Sequence, residues 1–346
     1  MRFEVEDLEG SSDRGSESLP QPLFISDNVV AEILTTDLAY RAVSQGLKCH
    51  ASGDFLQPLK PYVRPKGREG ERDGGRYIAM PGFVGGAVQA VGVKWIASVP
   101  RNIDLGLPRA SGVVVLNDVT TGRPVAILQC ETLSARRTAA VAAISVNHLA
   151  PAGPKRVAII GAGPIASEVV RALSERCTGI EEFRIHDLRL DRAERLASQT
   201  GQGACPAARV CLTAELCVRG ANVVIPATTG AKEYIPLSWF AAPWLVVALS
   251  LEDCRPEVLL SADKVVVDDY DQCAREEKLL DRLMQQGLFS RANVYAELGE
   301  IVSGDKVGRE GSECIYVNPM GMAIEDLSVA AEVYRLIRSR TTESSN

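Results

Sequence analysis

The chain has 346 residues, of which 46% are hydrophobic and 24% charged, enough apolar material for two ordinary domains. Its net charge of −6 argues against a nucleic-acid partner, because such partners normally require a basic face. No apolar run approaches the span of a bilayer, and the N-terminus lacks the apolar core of a signal peptide. We therefore expect a soluble, cytoplasmic protein without a membrane partner.

Nine cysteines and three histidines are not arranged as metal ligands. Cys205, Cys211 and Cys217 recur at six-residue intervals, but the sequence contains no CxxC pair. Structural zinc sites use such close pairs, so we expect no metal and reduced, mostly buried thiols. No histidine lies in a polar constellation, and we expect each to be structural or on the surface.

The first half of the chain has the pattern of an α+β domain. Residues 1–21 are rich in Glu, Ser and Asp, which predicts a flexible lead-in. Apolar residues at helical spacing predict a helix over residues 26–46. Strands are predicted at residues 77–80, 90–96, 111–118 and 125–128. A turn containing Gly and Pro joins the last two and favours a hairpin, so we expect an antiparallel sheet.

The second half begins with a dinucleotide-binding pattern. An alanine-rich helix is predicted at 134–149, and an apolar strand at 157–160 leads into Gly161-Ala162-Gly163-Pro164-Ile165-Ala166. Gly161 permits a tight turn, Gly163 lets a pyrophosphate approach the helix N-terminus, and Ala166 keeps the helix close to the sheet. The next strand ends in Asp187, whose carboxylate would bind a ribose and repel a 2′-phosphate. We therefore expect NAD as the cofactor and consider NADP disfavoured.

Strands and helices keep alternating after Asp187. Strands are predicted at 208–212, 222–227, 245–250 and 264–268, with a helix at 271–286. This alternation is typical of a parallel, doubly wound sheet of the Rossmann type. A last helix at 324–338 follows the complete sheet, and we expect it to return to the first domain.

Basic residues of the first half are candidates for binding a carboxylate: Lys60, Arg64, Lys94, Arg101, Arg109, Arg136 and Arg137. Lys94 stands inside a largely apolar strand, so its ammonium must enter a cleft or find a partner. Arg137 begins the bridging helix, whose N-terminus adds positive potential. Any one of these cations could instead be a solvated surface charge.

Asp253 follows the strand at 245–250 and is the acidic candidate. Ligands of open α/β sheets bind beyond the carboxyl ends of the strands, which would bring Asp253 near a nicotinamide. The alternative is an N-cap of the next helix. Because no histidine is suitably placed, a carboxylate or a lysine is expected to carry the proton.

Several motifs together resemble the ornithine cyclodeaminase/μ-crystallin family. The resemblance spans residues 22–340 and is carried in order by Gly92-Val93-Lys94-Trp95-Ile96-Ala97-Ser98, Gly106-Leu107-Pro108-Arg109-Ala110-Ser111, Leu116-Asn117-Asp118, Ser134-Ala135-Arg136-Arg137-Thr138-Ala139-Ala140, the glycine loop and Gly321-Met322-Ala323-Ile324-Glu325-Asp326. It implies a dimerising α+β substrate domain made of residues 22–135 and 320–346. A Rossmann domain of residues 136–319 would be inserted between these two parts.

The resemblance also implies roles for individual residues. The active-site lysine of the family matches Lys94, its carboxylate-binding arginine matches Arg137, and its catalytic aspartate matches Asp253. A further family arginine matches either Lys60 or Arg64, with Arg64 preferred. The expected cofactor-binding residues are Gly161, Gly163, Pro164, Ile165, Ala166, Asp187 and Thr138.

Within the family, the segments around Lys94 and Arg109 are most similar to dehydrogenases of 2,3-diaminopropionate biosynthesis, which act on N-(2-amino-2-carboxyethyl)-L-glutamate. The implied reaction is NAD-dependent oxidative cleavage to 2,3-diaminopropionate and 2-oxoglutarate through a ketimine that is hydrolysed, with Arg109 binding an additional carboxylate. The alternatives are an amino-acid cyclodeaminase, a ketimine or imine reductase, and a crystallin-like protein that binds a nucleotide without turnover.

Overall fold

The computed structural model describes residues 21–65, 75–200, 206–230, 233–276 and 278–343. The predicted lead-in at residues 1–21 lies outside the described residues except for Gln21, and so does Cys205. In the part of the chain described, no helix is both long and apolar enough to cross a membrane. The strands form two sheets, which the chain builds one after the other.

The first sheet has seven strands: β1 (Leu23–Ile25), β2 (Phe55–Leu56), β3 (Tyr62–Val63), β4 (Arg76–Val84), β5 (Ala90–Ser98), β6 (Ala110–Asn117) and β7 (Pro124–Gln129). Their order is β1-β7-β6-β5-β4-β2, and β3 also pairs with β4. All pairs are antiparallel except β1 with β7, which is parallel. The predicted antiparallel strands correspond to β4 through β7. Strands β1 to β3 have two or three residues each, too few to show a periodicity in the sequence.

The two faces of this sheet differ in what covers them. Met80, Lys94 and Val114 are cross-strand neighbours on one face, and each is at most 4% exposed. That face packs against the C-terminal helix. Trp95, one residue further along β5, points to the opposite face and is 41% exposed. The sheet therefore buries a lysine and leaves a tryptophan accessible.

The helix predicted at 26–46 is two helices, α1 (Asp27–Ile33) and α2 (Thr36–Ala51). Thr35 has an extended backbone, and its hydroxyl oxygen accepts a hydrogen bond from the Leu38 N–H at 3.1 Å. This side chain begins α2 as an N-cap. The periodic apolar pattern continues across the break, which is why the sequence predicted a single helix. The bridging helix α3 (Glu131–Leu149) contains the predicted domain boundary at 135/136 in its first half.

The second sheet has eight strands: β8 (Lys155–Ile160), β9 (Ile180–His186), β10 (Ala207–Val210), β11 (Val223–Pro226), β12 (Leu245–Val247), β13 (Lys264–Val267), β14 (Val294–Glu297) and β15 (Ile315–Asn318). Their order is β10-β9-β8-β11-β12-β15-β13-β14, and every pair is parallel. The predicted doubly wound parallel sheet is therefore confirmed. Because β9 and β11 flank β8 on opposite sides, the topology reverses at β8, where such sheets bind their ligands.

Short helices connect these strands: α4 (Pro164–Arg176), α5 (Leu190–Thr200), α6 (Ala214–Val218), α7 (Pro256–Leu260), α8 (Tyr270–Cys273), α9 (Leu279–Gln285) and α10 (Leu298–Ser303). The prediction of one helix at 271–286 is wrong, because the chain forms α8 and α9 with a break between them. Within that break Glu276 has a φ of +70°, a left-handed conformation that interrupts a right-handed helix. The 3₁₀ turns Leu237–Trp239 and Arg291–Asn293 also lie in these connections, and another, Pro100–Ile103, lies between β5 and β6 of the first sheet.

The last helix, α11 (Ala323–Glu343), follows the final strand of the second sheet and packs against the first sheet. It contacts β4, β5 and β6 as well as α2 and α3. Its N-terminal end therefore lies where the two sheets approach each other. The residues at that end are central to the candidate site.

Candidate active site

The glycine loop after β8 turns sharply into α4. Gly161 has a φ of +99°, which favours glycine, and a Cβ there would lie 2.7 Å from the carbonyl oxygen of Ala227. Gly163 is the N-cap of α4, and a Cβ there would meet no atom within 4 Å. The backbone of Gly163 is therefore open to a ligand at the N-terminus of a 13-residue helix, a position that suits a pyrophosphate.

Other residues predicted to bind the cofactor lie in or beside this loop. Ala166 is fully buried, whereas Ile165, in the first turn of α4, is 41% exposed. Pro164 is the first residue of that helix. Asp187, directly after β9, accepts hydrogen bonds from the backbone N–H groups of Ala162 at 2.7 Å and of residue 189 at 2.8 Å. Its carboxylate thus joins the glycine loop to the adjacent strand end.

Lys94 and Arg137 meet at the start of α11. Lys94 Nζ lies 2.6 Å from Asp326 Oδ2, and Arg137 Nε donates to Asp326 Oδ1 at 2.8 Å. Arg137 Nη1 also donates to Glu325 Oε2 at 3.1 Å. Lys94 is 1% exposed and both acids are fully buried. The partner that an ammonium inside an apolar strand requires is therefore a carboxylate from the C-terminal helix.

Lys60 reaches the same place from the segment before β3. Its Nζ donates to the carbonyl oxygens of Met320 at 3.1 Å and Gly321 at 2.6 Å. Gly321 has a φ of +80°, and a Cβ there would lie 2.9 Å from Arg137 Nη1, so a side chain would block the guanidinium. Asp268, after β13, accepts from the Gly321 N–H at 2.5 Å. We refer to Lys60, Lys94, Arg137, Asp268, Glu325 and Asp326 as the buried ionic cluster.

Burial and ion pairing oppose each other in the buried ionic cluster. Burial lowers the pKa of Lys94, although Asp326 opposes this shift, and burial lowers the pKa of Lys60 to about 8. Burial alone would raise the pKa of Asp326, but Arg137 and Lys94 outweigh it and the pKa is lowered. Burial raises the pKa of Glu325 to about 7 against the attraction of Arg137. Of the two acids in the first turn of α11, Glu325 and Asp326, it is therefore Asp326 that stays anionic near neutral pH.

Asp253 lies in the loop after β12, near the carboxyl end of β11, and is 2% exposed. Its Oδ1 accepts hydrogen bonds from the Thr228 hydroxyl at 2.6 Å and the Tyr234 hydroxyl at 3.1 Å. The Ser250 hydroxyl donates to Oδ2. The N-cap of the following helix α7 is Arg255, so Asp253 is not that cap. Three hydroxyl donors instead fix its carboxylate at the edge of the sheet where ligands bind.

The structure places Lys60, rather than Arg64, beside Lys94 and Arg137. The Arg64 side chain is 53% exposed and pairs with Glu276. Its guanidinium also lies over the Tyr62 ring, 4.6 Å from the centroid. The resemblance to the family favoured Arg64 over Lys60 as the match to a family arginine, but the direction of the chain before β3 decides which of the two points inward.

Arg109 and Thr138 make local contacts. The carbonyl oxygen of Arg109 accepts from the Val99 N–H at 2.8 Å, just beyond β5. The Thr138 hydroxyl donates to the carbonyl oxygen of Ser134 at 2.7 Å, within α3. Thr138 follows Arg137 directly, so it lies close to the buried ionic cluster along the helix.

The expectation that no histidine lies among polar groups is wrong for His50. Its Nε2 is 3.5 Å from Asp269 Oδ2, and its Nδ1 is 3.7 Å from Glu297 Oε2. Burial alone would lower the pKa of His50, but these two carboxylates outweigh it and the pKa is raised. Helix α2 brings His50 to the carboxyl ends of β13 and β14, where Asp269 and Glu297 lie far from it in sequence.

The cysteines and histidines of the described ranges do not form a metal site. No three His, Cys, Asp or Glu side chains there are placed to hold a metal ion. The eight cysteines in those ranges are free thiols, and six of them are buried.

Sequence reasoning did not assign roles to Asp268, Glu325, Asp326 or Gly321. Two adjacent acids at the start of an apolar helix are a recognisable signal, because acids are favoured in the first helical turn. That signal predicts a helix terminus and nothing more. The partners of Asp326 lie on β5 and α3, and the hydrogen bond to Arg137 spans 189 residues.

The chain is similar to known proteins in sequence and in fold. The model of the ornithine cyclodeaminase/mu-crystallin family matches residues 21–341. The chain is 39% identical to N-((2S)-2-amino-2-carboxyethyl)-L-glutamate dehydrogenase of Staphylococcus aureus, over 85% of this chain and 88% of that protein. Its fold is similar to the crystal structure of CmnK, with 30% identity, a TM-score of 0.83, and coverage of 92% and 96% of the two chains. It is also similar to an archaeal alanine dehydrogenase dimer with bound NAD, with 28% identity, a TM-score of 0.81, and coverage of 92% and 97%. The chain therefore belongs to the ornithine cyclodeaminase/mu-crystallin family.

Proposed function

We propose that this protein is an NAD-dependent dehydrogenase that cleaves N-(2-amino-2-carboxyethyl)-L-glutamate oxidatively into 2,3-diaminopropionate and 2-oxoglutarate. The observation that carries the proposal is the 39% identity to the Staphylococcus aureus dehydrogenase of that amine, which extends over 85% of this chain. A match of this length extends into both sheets, one followed by the glycine loop and the other holding Lys94 of the buried ionic cluster. The chemistry of both regions suits the reaction.

The buried ionic cluster favours a substrate with carboxylates. Lys60, Lys94 and Arg137 approach one turn of the chain, and each has its charged end directed to the start of α11. A substrate carboxylate that binds there would share these cations with Asp326. N-(2-amino-2-carboxyethyl)-L-glutamate has three carboxylates, so a site rich in cations matches its charge.

NAD fits the glycine loop. The open Cβ position of Gly163 leaves room for a pyrophosphate at the N-terminus of α4, and Asp187 follows the next strand. The alanine dehydrogenase that shares this fold was solved with NAD. When bound, NAD⁺ would supply the acceptor for the hydride of the glutamate Cα.

Asp253 would move the protons of the reaction. We propose that its carboxylate takes the proton of the secondary amine while hydride leaves the glutamate Cα and the C=N bond forms, and then releases this proton to the solvent. The carboxylate next deprotonates the water that adds to the imine carbon and passes that proton to the nitrogen of the leaving amine. Cleavage of that carbon–nitrogen bond releases 2-oxoglutarate and 2,3-diaminopropionate. Leu251, two residues before Asp253, has a φ of +70°, and strain of this kind in a non-glycine residue is concentrated at functional loops.

The test is turnover of a defined amine by the purified protein. With NAD⁺ and N-(2-amino-2-carboxyethyl)-L-glutamate, we expect one 2-oxoglutarate and one 2,3-diaminopropionate for each NADH formed, followed by absorbance at the NADH band and product analysis. Proline and ammonia from ornithine without net NADH would identify a cyclodeaminase instead. Consumption of NADH or NADPH with a cyclic imine would identify a reductase, and an inert protein that binds NAD would be a nucleotide-binding relative.

Replacing Asp253 tests its role in proton transfer. Asp253→Asn keeps the shape of the side chain and removes the base, so kcat should fall by about 10²–10⁴-fold while the Kd for NAD changes little. The matched control is Asp271→Asn, since the Asp271 side chain is 73% exposed in the same domain. Loss of NAD affinity in Asp253→Asn would instead make Asp253 a structural residue of the nucleotide site.

We further propose that the protein is a homodimer that uses the outer face of the first sheet. Trp95 is 41% exposed there and stacks on Tyr77, with ring centroids 6.0 Å apart. Exposed apolar sheet faces of this kind mark contact surfaces between proteins, and the related alanine dehydrogenase is a dimer. Sedimentation equilibrium should therefore give twice the chain mass of 37.2 kDa.

A further inference from the structure

Asp326 stands between two cations that come from different parts of the chain. Its Oδ2 faces Lys94 of β5 at 2.6 Å, and its Oδ1 accepts from Arg137 of α3 at 2.8 Å. The Asp326 side chain is fully buried, and that of Lys94 is 2% exposed. Both carboxylate oxygens are thus engaged with the two residues proposed to bind the substrate.

Without a carboxylate between them, these two cations would be poorly placed. A lysine ammonium ends a flexible four-carbon chain, so its position depends on what it contacts. The positive charge of Arg137 repels the ammonium of Lys94 and thereby lowers the pKa of Lys94. A shared anion offsets this repulsion and fixes both donors in one geometry.

Glu325, the neighbouring acid, contacts one of the two cations rather than both. Its Oε2 accepts from Arg137 and from the Met322 N–H, each at 3.1 Å, and its ion pair is with Arg137. Glu325 therefore orients the guanidinium and the helix start, whereas Asp326 joins the guanidinium to the ammonium.

We propose that Asp326 is a positioning residue that keeps Lys94 protonated and directed, together with Arg137, toward one carboxylate of the substrate. The inference rests on the proposed function in one respect, namely that the substrate is an amino acid whose carboxylate these cations bind. It does not depend on which side chain that amino acid carries.

The charged and titratable groups around Lys94 give the sign of the pH effect. Asp326 raises the pKa of Lys94, whereas burial and Arg137 lower it. Cys130 faces the site before α3, but burial raises its pKa to about 12, so it stays a neutral thiol. Lys60, from the segment before β3, adds a like charge. Removing the Asp326 charge therefore lowers the pKa of Lys94 further, and the ammonium loses its proton at a lower pH.

The experiment compares pH profiles of kcat/KM for wild type, Asp326→Asn, Asp326→Glu and Glu332→Gln. Glu332 lies two turns further along α11 in a half-exposed pair with Arg335, and it serves as the matched control. In Asp326→Asn we expect the basic limb to move down by about one pH unit or more, because an opposite charge in contact shifts a pKa by that amount. We also expect kcat/KM near pH 7 to fall about 10–100-fold through a higher KM, the size expected for a lost charge-assisted contact.

Asp326→Glu separates positioning from a merely structural role. It keeps the charge but advances it by one methylene, so the basic limb should stay at the wild-type pH while kcat/KM falls severalfold. If Asp326→Asn does not fold, an Asp326→Glu limb displaced to lower pH overturns the proposal. If Asp326→Asn folds and binds NAD, a basic limb at the wild-type pH overturns the proposal. An equal shift of the limb in Glu332→Gln also overturns it.

The two proposals fail in different ways. If the wild-type protein oxidises another amino acid, the proposed substrate is wrong. The basic limb of Asp326→Asn is then compared with that of wild type on the amino acid that is turned over. A wild type active on N-(2-amino-2-carboxyethyl)-L-glutamate, with identical pH profiles in all variants, would leave the proposed function intact and refute the role of Asp326.

Discussion

The glycine loop and the buried ionic cluster differ in how each is proposed to bind an anion. The loop uses consecutive residues, Gly161 to Ala166, and presents backbone N–H groups at the start of α4. The cluster uses side chains from β5, α3 and α11, and its Lys60–Gly321 contact spans 261 residues. A backbone site can therefore be recognised in one short segment, whereas a side-chain site exists only after distant parts of the chain have folded together.

The two regions also differ in how they treat charge. The loop has an open approach and carries no buried ionic side chain between Gly161 and Ala166. In the cluster, each cation already has a protein partner, and Asp326 joins two of them. The proposed substrate site is thus pre-ordered by internal ion pairs, and the proposed nucleotide site by backbone geometry.

Among changes to the loop and to the cluster, the largest expected effect comes from removing the ammonium of Lys94. In Lys94→Met, kcat/KM should fall by about 10²–10³-fold, because truncating one partner of a buried charge pair costs several kcal/mol. The Kd for NAD, measured by fluorescence titration, should change less than twofold if the two regions are independent. Lys48→Met, an exposed lysine in α2, is the control. Equal losses of turnover and NAD affinity in Lys94→Met would show that the regions are coupled.

An intermediate effect is expected in the loop, where two glycines separate ligand approach from backbone strain. Gly163→Ala should lower NAD affinity by about tenfold without lowering Tm, because its Cβ meets no protein atom and would enter the space of the pyrophosphate. Gly161→Ala should lower Tm as well, since its Cβ would lie 2.7 Å from the Ala227 carbonyl oxygen. Calorimetry and NAD titration of both variants distinguish the two. A lower Tm in Gly163→Ala would contradict an open approach.

The smallest effect concerns cofactor choice. Asp187→Ser removes the negative charge that would repel a 2′-phosphate, so the ratio of kcat/KM for NAD to that for NADP should fall by about tenfold. Asp187 also accepts from the Ala162 N–H, and therefore a modest loss of NAD affinity should accompany the change. Asp191→Ser, at a half-exposed neighbouring position, is the control. An unchanged ratio in Asp187→Ser would refute the assignment of this carboxylate to cofactor selection.

Much of the fold could be predicted because its signals are local. Strands β4 to β7 and the order of strands and helices after β8 follow from alternation of apolar residues over short windows. The errors also have local causes. The Thr35 cap breaks a helix whose apolar pattern continues, and the left-handed Glu276 divides another. Both are single-residue features that a periodicity does not reveal.

The sequence by itself determined the parallel second sheet, the glycine loop and the need of Lys94 for a partner, because each follows from local patterns of residues. A lysine in an apolar strand must have a partner, whatever the fold. Only the tertiary structure decided that this partner is Asp326, that Lys60 rather than Arg64 reaches the start of the same helix, and that Gly321 leaves room for Arg137. These contacts connect residues far apart in the chain, and their energies depend on burial that no local pattern encodes.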